Sequence, residues 1–191
     1  MQIKKLFIKE NGSFKQVCGF IKINNNFQLY TDCASELIIG DIADDGYMAF
    51  AQQGDQMLLA PPQSENVNRD WGSYGTTRGT TSSTDGYNNT NTLQAFGSSA
   101  HPAAHYAWNH SRTPSGFGGG GTGSYLPAED ELQLIYNNRV MLDQDHTSAT
   151  WSSTESGSNN ARGLNFGNGS LYSYGKGSSR LVIPLRRVTV E

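Results

Sequence analysis

Residues 151–180 read W-S-S-T-E-S-G-S-N-N-A-R-G-L-N-F-G-N-G-S-L-Y-S-Y-G-K-G-S-S-R and run directly into L-V-I-P-L-R-R-V. Ser, Asn and Gly supply 18 of the first thirty residues. That composition by itself describes a linker that buries too little apolar surface to offset the entropy of ordering. The apolar residues contradict it. Trp151, Leu164, Phe166, Leu171, Tyr172 and Tyr174 are spaced through the segment, and the apolar run 181–185 follows. Small polar residues laid over an apolar frame describe a surface whose outer positions are free to vary.

Alternation gives the frame. Ala161, Leu164 and Phe166 are expected on the inner side of a strand, and Gly167-Asn168-Gly169 is a turn signal, because Gly and Asn reach positive φ at little cost. Residues 171–176 then return as a second strand. Trp151 ahead, at the end of a strand over 147–152, and the strand expected over 181–185 give this hairpin a core to sit on.

Elsewhere the expectation is α+β. Residues 127–138 predict the clearest helix: Pro127 near the first turn, Glu129, Asp130 and Glu131 where the dipole favours them, and Leu132, Ile135 and Tyr136 at helical spacing. A second helix is expected over 102–109, opened by Pro102. Short strands are expected at 47–51 and 57–60, a polar loop over 67–86 and a Gly-rich loop over 111–124. Residues 3–9, 14–23 and 27–31 read as three strands joined at Asn11-Gly12 and Asn24-Asn25-Asn26. They make a separate N-terminal β module over 1–40, for attachment or oligomerisation, ahead of a main domain over 41–191. Three short strands do not bury both faces alone.

Composition excludes several functions. The net charge is −3 and charged residues are 16% of the chain, which argues against electrostatic capture of nucleic acid or an anionic membrane. No apolar run approaches the roughly 18 residues of a membrane span, so no membrane insertion is expected. The basic-then-apolar start is cut off by Lys9-Glu10-Asn11, too soon for a signal peptide. The two cysteines, Cys18 and Cys33, form a thin disulfide framework and read as reduced thiols.

Five motifs in order carry a resemblance. They are Leu58-Leu59-Ala60-Pro61, Trp71-Gly72-Ser73-Tyr74-Gly75, Tyr125-Leu126-Pro127-Ala128-Glu129-Asp130-Glu131-Leu132, Trp151-Ser152-Ser153-Thr154-Glu155 with Ala161, Phe166, Gly169 and Lys176 behind it, and Val182-x-Pro184-x-Arg186. Together they resemble a C-type-lectin-fold family that includes the variable proteins of diversity-generating retroelements and relatives of the formylglycine-generating-enzyme branch. The resemblance spans roughly residues 46 to 190 and implies a lectin-like plan of two helices over twisted antiparallel strands. The chain departs from the family at Ile183, where Arg is common, and in its long Gly-rich run at 116–123.

The resemblance implies a binding protein rather than an enzyme, with a variable region over about 151–188. Family variability arises from mutated adenines, which reach codons for Asn, Ser, Gly, Tyr, Arg, Leu, Asp and Thr but not Trp, Glu or Lys. Trp151, Glu155 and Lys176 are then fixed scaffold. The displayed, ligand-binding positions are Gly157, Ser158, Asn159, Asn160, Arg162, Gly163, Asn165, Ser170, Tyr172, Ser173, Tyr174, Gly175, Gly177, Ser178 and Arg180, helped by the 71–87 or 116–123 loop. The implied role is a phage tail-fibre adhesin on the virion. Its partners are a bacterial surface protein or glycan, tail components and two further copies of itself in a homotrimer. Rivals are a bacterial cell-surface adhesin of the same fold, a structural virion protein without its own ligand, and a degenerate oxidase, which lacks cysteines in the lectin-like part.

No cofactor, metal or catalytic residue is expected. His101, His105 and His110 lack nearby acidic or cysteine partners in the sequence and read as surface or cap histidines. The cluster 129–131 reads as helix capping. Asp41, Asp44 and Asp45 lack calcium-loop spacing. The Glu-Pro-Asn, Gln-Pro-Asp and Trp-Asn-Asp motifs that hold calcium in sugar-binding lectins do not occur. Ser152 and Ser153 have no histidine and acid in a recognisable pattern.

Overall fold

The structure, a computed structural model, describes residues 6–10, 13–17, 19–23, 26–30, 37–43, 46–110, 123–144 and 146–190, the first four ranges by their backbone alone. The chain divides into two compact units, Met1–Glu36 and Leu37–Glu191, four residues ahead of the limit read from the sequence.

The N-terminal unit holds two antiparallel hairpins, β1 (Leu6–Glu10) with β2 (Ser13–Val17), and β3 (Gly19–Ile23) with β4 (Asn26–Tyr30). The expected single strand over 14–23 is therefore two strands with different partners. Alternation alone cannot tell one ten-residue strand from two of five. The cysteines, the acidic pair Asp44 and Asp45, and the Gly-rich run as far as residue 122 lie outside the described residues.

The second unit is α+β, with three helices and two sheets among its described residues. Strands β5 (Met48–Gln53), β6 (Gln56–Ala60), β8 (Ser124–Tyr125) and β13 (Leu185–Thr189) form a four-stranded sheet in the order β5-β6-β13-β8. Strands β7 (Val67–Asp70), β9 (Ala149–Glu155), β10 (Asn160–Asn165), β11 (Ser170–Gly175) and β12 (Ser179–Val182) form a five-stranded sheet in the order β11-β10-β9-β12-β7.

One apolar run joins the two sheets. Residues 181–185, expected as one strand, are split. Leu181 and Val182 close β12, Ile183 and Pro184 belong to neither strand, and Leu185 opens β13 in the other sheet. Pro184 has no N–H to give a ladder, so the strand ends there. Val182, Ile183 and Leu185 are fully buried, because the crossover runs through the core.

Strand β7 occupies part of the segment expected to be loop, and helix α1 (Gly86–Gln94) begins at the last residue of that segment, where no helix is expected. Its sequence, GYNNTNTLQ, is poor in helix formers. Asp85 starts it by accepting the Asn88 N–H at 3.1 Å. Its buried positions are Gly86, Asn89, Thr90 and Leu93, a helical spacing carried largely by small and polar residues. Asn89 donates to Ser82 O and Thr90 to Leu126 O, so their burial leaves no polar group unpaired. Helix α2 (Pro102–Trp108) starts on Pro102 as expected and buries Ala103, Ala104 and Ala107. Helix α3 (Glu129–Asn137) buries Leu132 and Ile135.

Pro127 precedes the cap residue Ala128 rather than opening α3. The start is fixed by Glu131, whose carboxylate accepts the Ala128 N–H at 2.7 Å, the Gly86 N–H at 3.1 Å and the Tyr125 hydroxyl at 2.9 Å. One buried carboxylate thus ties the N-termini of α1 and α3 to β8.

Two large apolar clusters fill the unit. One packs α3 and β10 on the four-stranded sheet through Leu132, Ile135, Leu164, Phe166, Phe50 and Leu58. The other packs α1 and α2 against Trp71, Trp151, Ala161 and Val182.

Candidate functional site

Strand β9 supplies the rigid floor. Trp151, Ser152, Ser153, Thr154 and Glu155 are all buried. The Trp151 indole donates to Arg69 O at 3.0 Å and the Trp71 indole to Ser152 O at 2.8 Å. Both rings therefore bury their apolar surface without stranding their N–H.

The lone Lys176 is completely buried. Its ammonium lies 2.5 Å from Glu155 Oε1, donates to Thr76 O at 2.6 Å and sits 4.8 Å from the Trp71 ring centre. Glu155 also accepts the Arg78 and Gly79 N–H groups, at 2.8 and 3.0 Å to Oε2. A buried charge pair is tolerated only when such bonds complete it. Main-chain bonds from Trp71 N–H to Lys176 O and from Lys176 N–H to Asn159 O finish the staple. Residues 71–79 and the hairpin ends are thus bonded into one frame, in which Trp151, Glu155 and Lys176 are buried.

The hairpin β10–β11 pairs Ala161 with Tyr174, Arg162 with Ser173, Gly163 with Tyr172, Leu164 with Leu171 and Asn165 with Ser170. Facing residues share a side of a sheet, and sides alternate along a strand. The fifteen expected display positions therefore do not form one face. Asn165, Ser170, Tyr172 and Tyr174 share one side. Arg162 and Ser173 share the other with Leu164 and Leu171, which pack toward α3. There Arg162 is engaged by Glu129 at 2.6 Å and donates to Ser173 Oγ at 3.3 Å.

Ser158, Asn159, Asn160 and Gly177 are exposed at the hairpin ends, with Gly157, Gly175 and Ser178 half-buried beside them. Gly163 does not fit a display role, because it is buried. A Cβ there would lie 2.7 Å from Thr150 O and 3.1 Å from the Tyr174 ring. Its missing side chain lets Tyr174 lean across β10 to meet Trp151 edge-on, at 5.9 Å between ring centres.

The tyrosine side continues across the sheet. Tyr172 lies 5.8 Å from Tyr174 and is 43% exposed. The Arg180 guanidinium sits 3.6 Å from the Tyr174 ring centre and 5.5 Å from that of Trp151. Burial pushes the Tyr174 hydroxyl above its ordinary pKa, against the pull of Arg180. In register, Arg180 faces Arg69 on β7, and the Arg69 guanidinium lies 5.3 Å from the Tyr106 ring centre. Beyond Arg69 opens a cavity of about 610 Å³, lined by Glu65, His105, Tyr106 and Asn109 among others. Arg69 and Tyr106 were missed by the sequence reading, since V-N-R-D carries no apolar alternation and Tyr106 reads as helix core.

Of His101, His105 and His110, two are not on the surface. His101 is buried at the start of α2, and burial, with Arg78 and Lys176, lowers its pKa to about 4. His110 is buried too, with Nδ1 2.6 Å from the Tyr47 hydroxyl. Among the described residues no group of three His, Cys, Asp or Glu side chains converges as metal ligands would, and no helix is long and apolar enough to cross a membrane.

Neither a scan against protein-family models nor a search of curated proteins returned a match to this chain.

Proposed function

We propose that the chain is a binding protein of C-type-lectin-like fold, a retroelement-type variable protein. It presents the tyrosine side of the five-stranded sheet and the adjoining hairpin ends to a bacterial surface ligand. One observation carries this reading: the residues that adenine mutation cannot create, Trp151, Glu155 and Lys176, are buried and bonded to the scaffold, whereas Ser158, Asn159, Asn160, Ser170 and Tyr172 lie exposed around them. A frame that is rigid inside and compositionally loose outside has the physics of a paratope. Tyrosines give large contact area at low entropy cost, and Ser, Asn and Gly give adaptable hydrogen bonds. Arg162 and Gly163 leave the display set, which keeps Tyr172, Tyr174 and Arg180. A tail-fibre location, a homotrimer and avidity from several heads are parts of the same proposal, as is the absence of catalysis.

The test is binding of the labelled chain to a panel of bacterial strains. Tyr172→Ala is expected to cost about 2 kcal/mol of binding, roughly thirtyfold in Kd, as for a central aromatic contact. Its melting temperature should stay close to that of the parent, because Tyr172 is exposed. Tyr174→Ala is a poorer probe, since that ring packs on Trp151. Undiminished binding by Tyr172→Ala would place the contact surface elsewhere.

A further inference from the structure

Arg69 and Arg180 stand side by side in register on β7 and β12. Neither has a carboxylate within ion-pair distance among the described residues. The Arg69 guanidinium donates only to Asn68 O, at 2.8 Å. The Arg180 Nε is buried and has no hydrogen-bond partner among the described residues. Its guanidinium carbon lies over the Tyr174 ring, 3.6 Å from the ring centre, a contact that positions the fork without using its donors. Two pre-oriented forks with spare donors are an anion receptor.

From this we infer that the Arg69–Arg180 pair receives a carboxylate of the ligand, and that the ligand is a carboxylated saccharide. The inference rests on the binding role proposed above and assigns its chemical class. The cavity beside Arg69 is within the range of small-ligand sites. Its lining is mixed: Glu65, His105 and Asn109 stand beside Pro102 and the Tyr106 ring. A sugar brings hydroxyls for the polar groups and a C–H face for the ring.

The test is retention of the full chain on polygalacturonate, polysialate and hyaluronate, each beside its carboxyl-reduced form, and on polyglutamate. The parent is expected to bind at least one acidic polysaccharide and to lose it on carboxyl reduction. Arg69→Gln and Arg180→Gln should each weaken that binding at least tenfold, with unchanged melting temperature for the exposed Arg69. Binding to none of the three acidic polysaccharides, equal binding to the reduced forms, or equal binding to polyglutamate would overturn the inference. So would indifference to both arginine substitutions. If Tyr172→Ala abolishes binding to bacteria while the arginine variants still bind them, the assignment to these arginines fails and the tyrosine surface stands. If the arginine variants lose bacterial binding and Tyr172→Ala does not, the arginine pair stands and the tyrosine surface fails.

Discussion

At the scale of single residues, Lys176 and Gly163 show how composition misleads in opposite directions. A lone lysine in a Ser/Asn/Gly stretch looks like a solvated charge, yet it is completely buried against Glu155. Lys176→Met leaves the Glu155 carboxylate buried without its counter-charge and is expected to cost about 3–5 kcal/mol, read from urea denaturation midpoints. A loss below about 1 kcal/mol, the worth of an exposed pair, would contradict the staple. Gly163 looks like one more variable small residue, but the space for a side chain is filled by Thr150 O and the Tyr174 ring. Gly163→Ala should cost about 1–3 kcal/mol, as overpacking does, and the Trp151 fluorescence should change as Tyr174 is displaced. Nothing in one sequence separates this glycine from Gly157 or Gly177, because the clash comes from residues on two other strands.

At the scale of elements, legibility followed the apolar pattern. Helix α3 and the hairpin β10–β11 were visible because Leu132, Ile135, Ala161, Leu164 and Phe166 are apolar where they are buried. Helix α1 was invisible because its buried face is Gly, Asn and Thr, paired by hydrogen bonds to loops distant in sequence. The break at Pro184 was legible in principle but masked by four apolar neighbours.

The junction of α1, α3 and β8 carries its own pH signature. Burial raises the Glu131 carboxyl from 4.5 to about 7, against the pull of its donors Ala128, Tyr125 and Gly86. A carboxyl raised on folding contributes stability that is fully present below about 4.5 and is lost as the pH rises through about 7. The melting temperature of the parent minus that of Glu131→Gln should therefore fall between pH 4.5 and 8. A flat or rising difference would mean that the carboxyl titrates at an ordinary value in the fold.

At the scale of the whole molecule, the described strands of residues 37–191 pass between the two sheets four times, and the last passage is a single apolar run. The segment after β12 leaves the five-stranded sheet at Pro184 and enters the four-stranded sheet as β13. Strand β12 pairs parallel with β9 at Leu181–Thr150, and among the described strands β11 of the hairpin is the outermost of its sheet. That topology leaves the end of the hairpin and the tyrosine side open while Trp151 and Lys176 anchor them. A sequence reading found the hairpin but placed all of its polar residues on one surface. The register divides them between two, and Glu129 occupies Arg162 on the second.

Sequencing the coding region and its flanks tests most directly whether the frame is fixed and its exterior diversified. The expected result is a near-copy of the segment encoding residues 151–188 beside a reverse-transcriptase gene, differing from it only at adenines. Those differences should fall on codons for exposed or half-buried positions such as Ser158, Asn160, Ser170, Tyr172 and Arg180, and on none of Trp151, Glu155, Gly163 or Lys176. Absence of any such copy, or differences concentrated on the four buried positions, would contradict it.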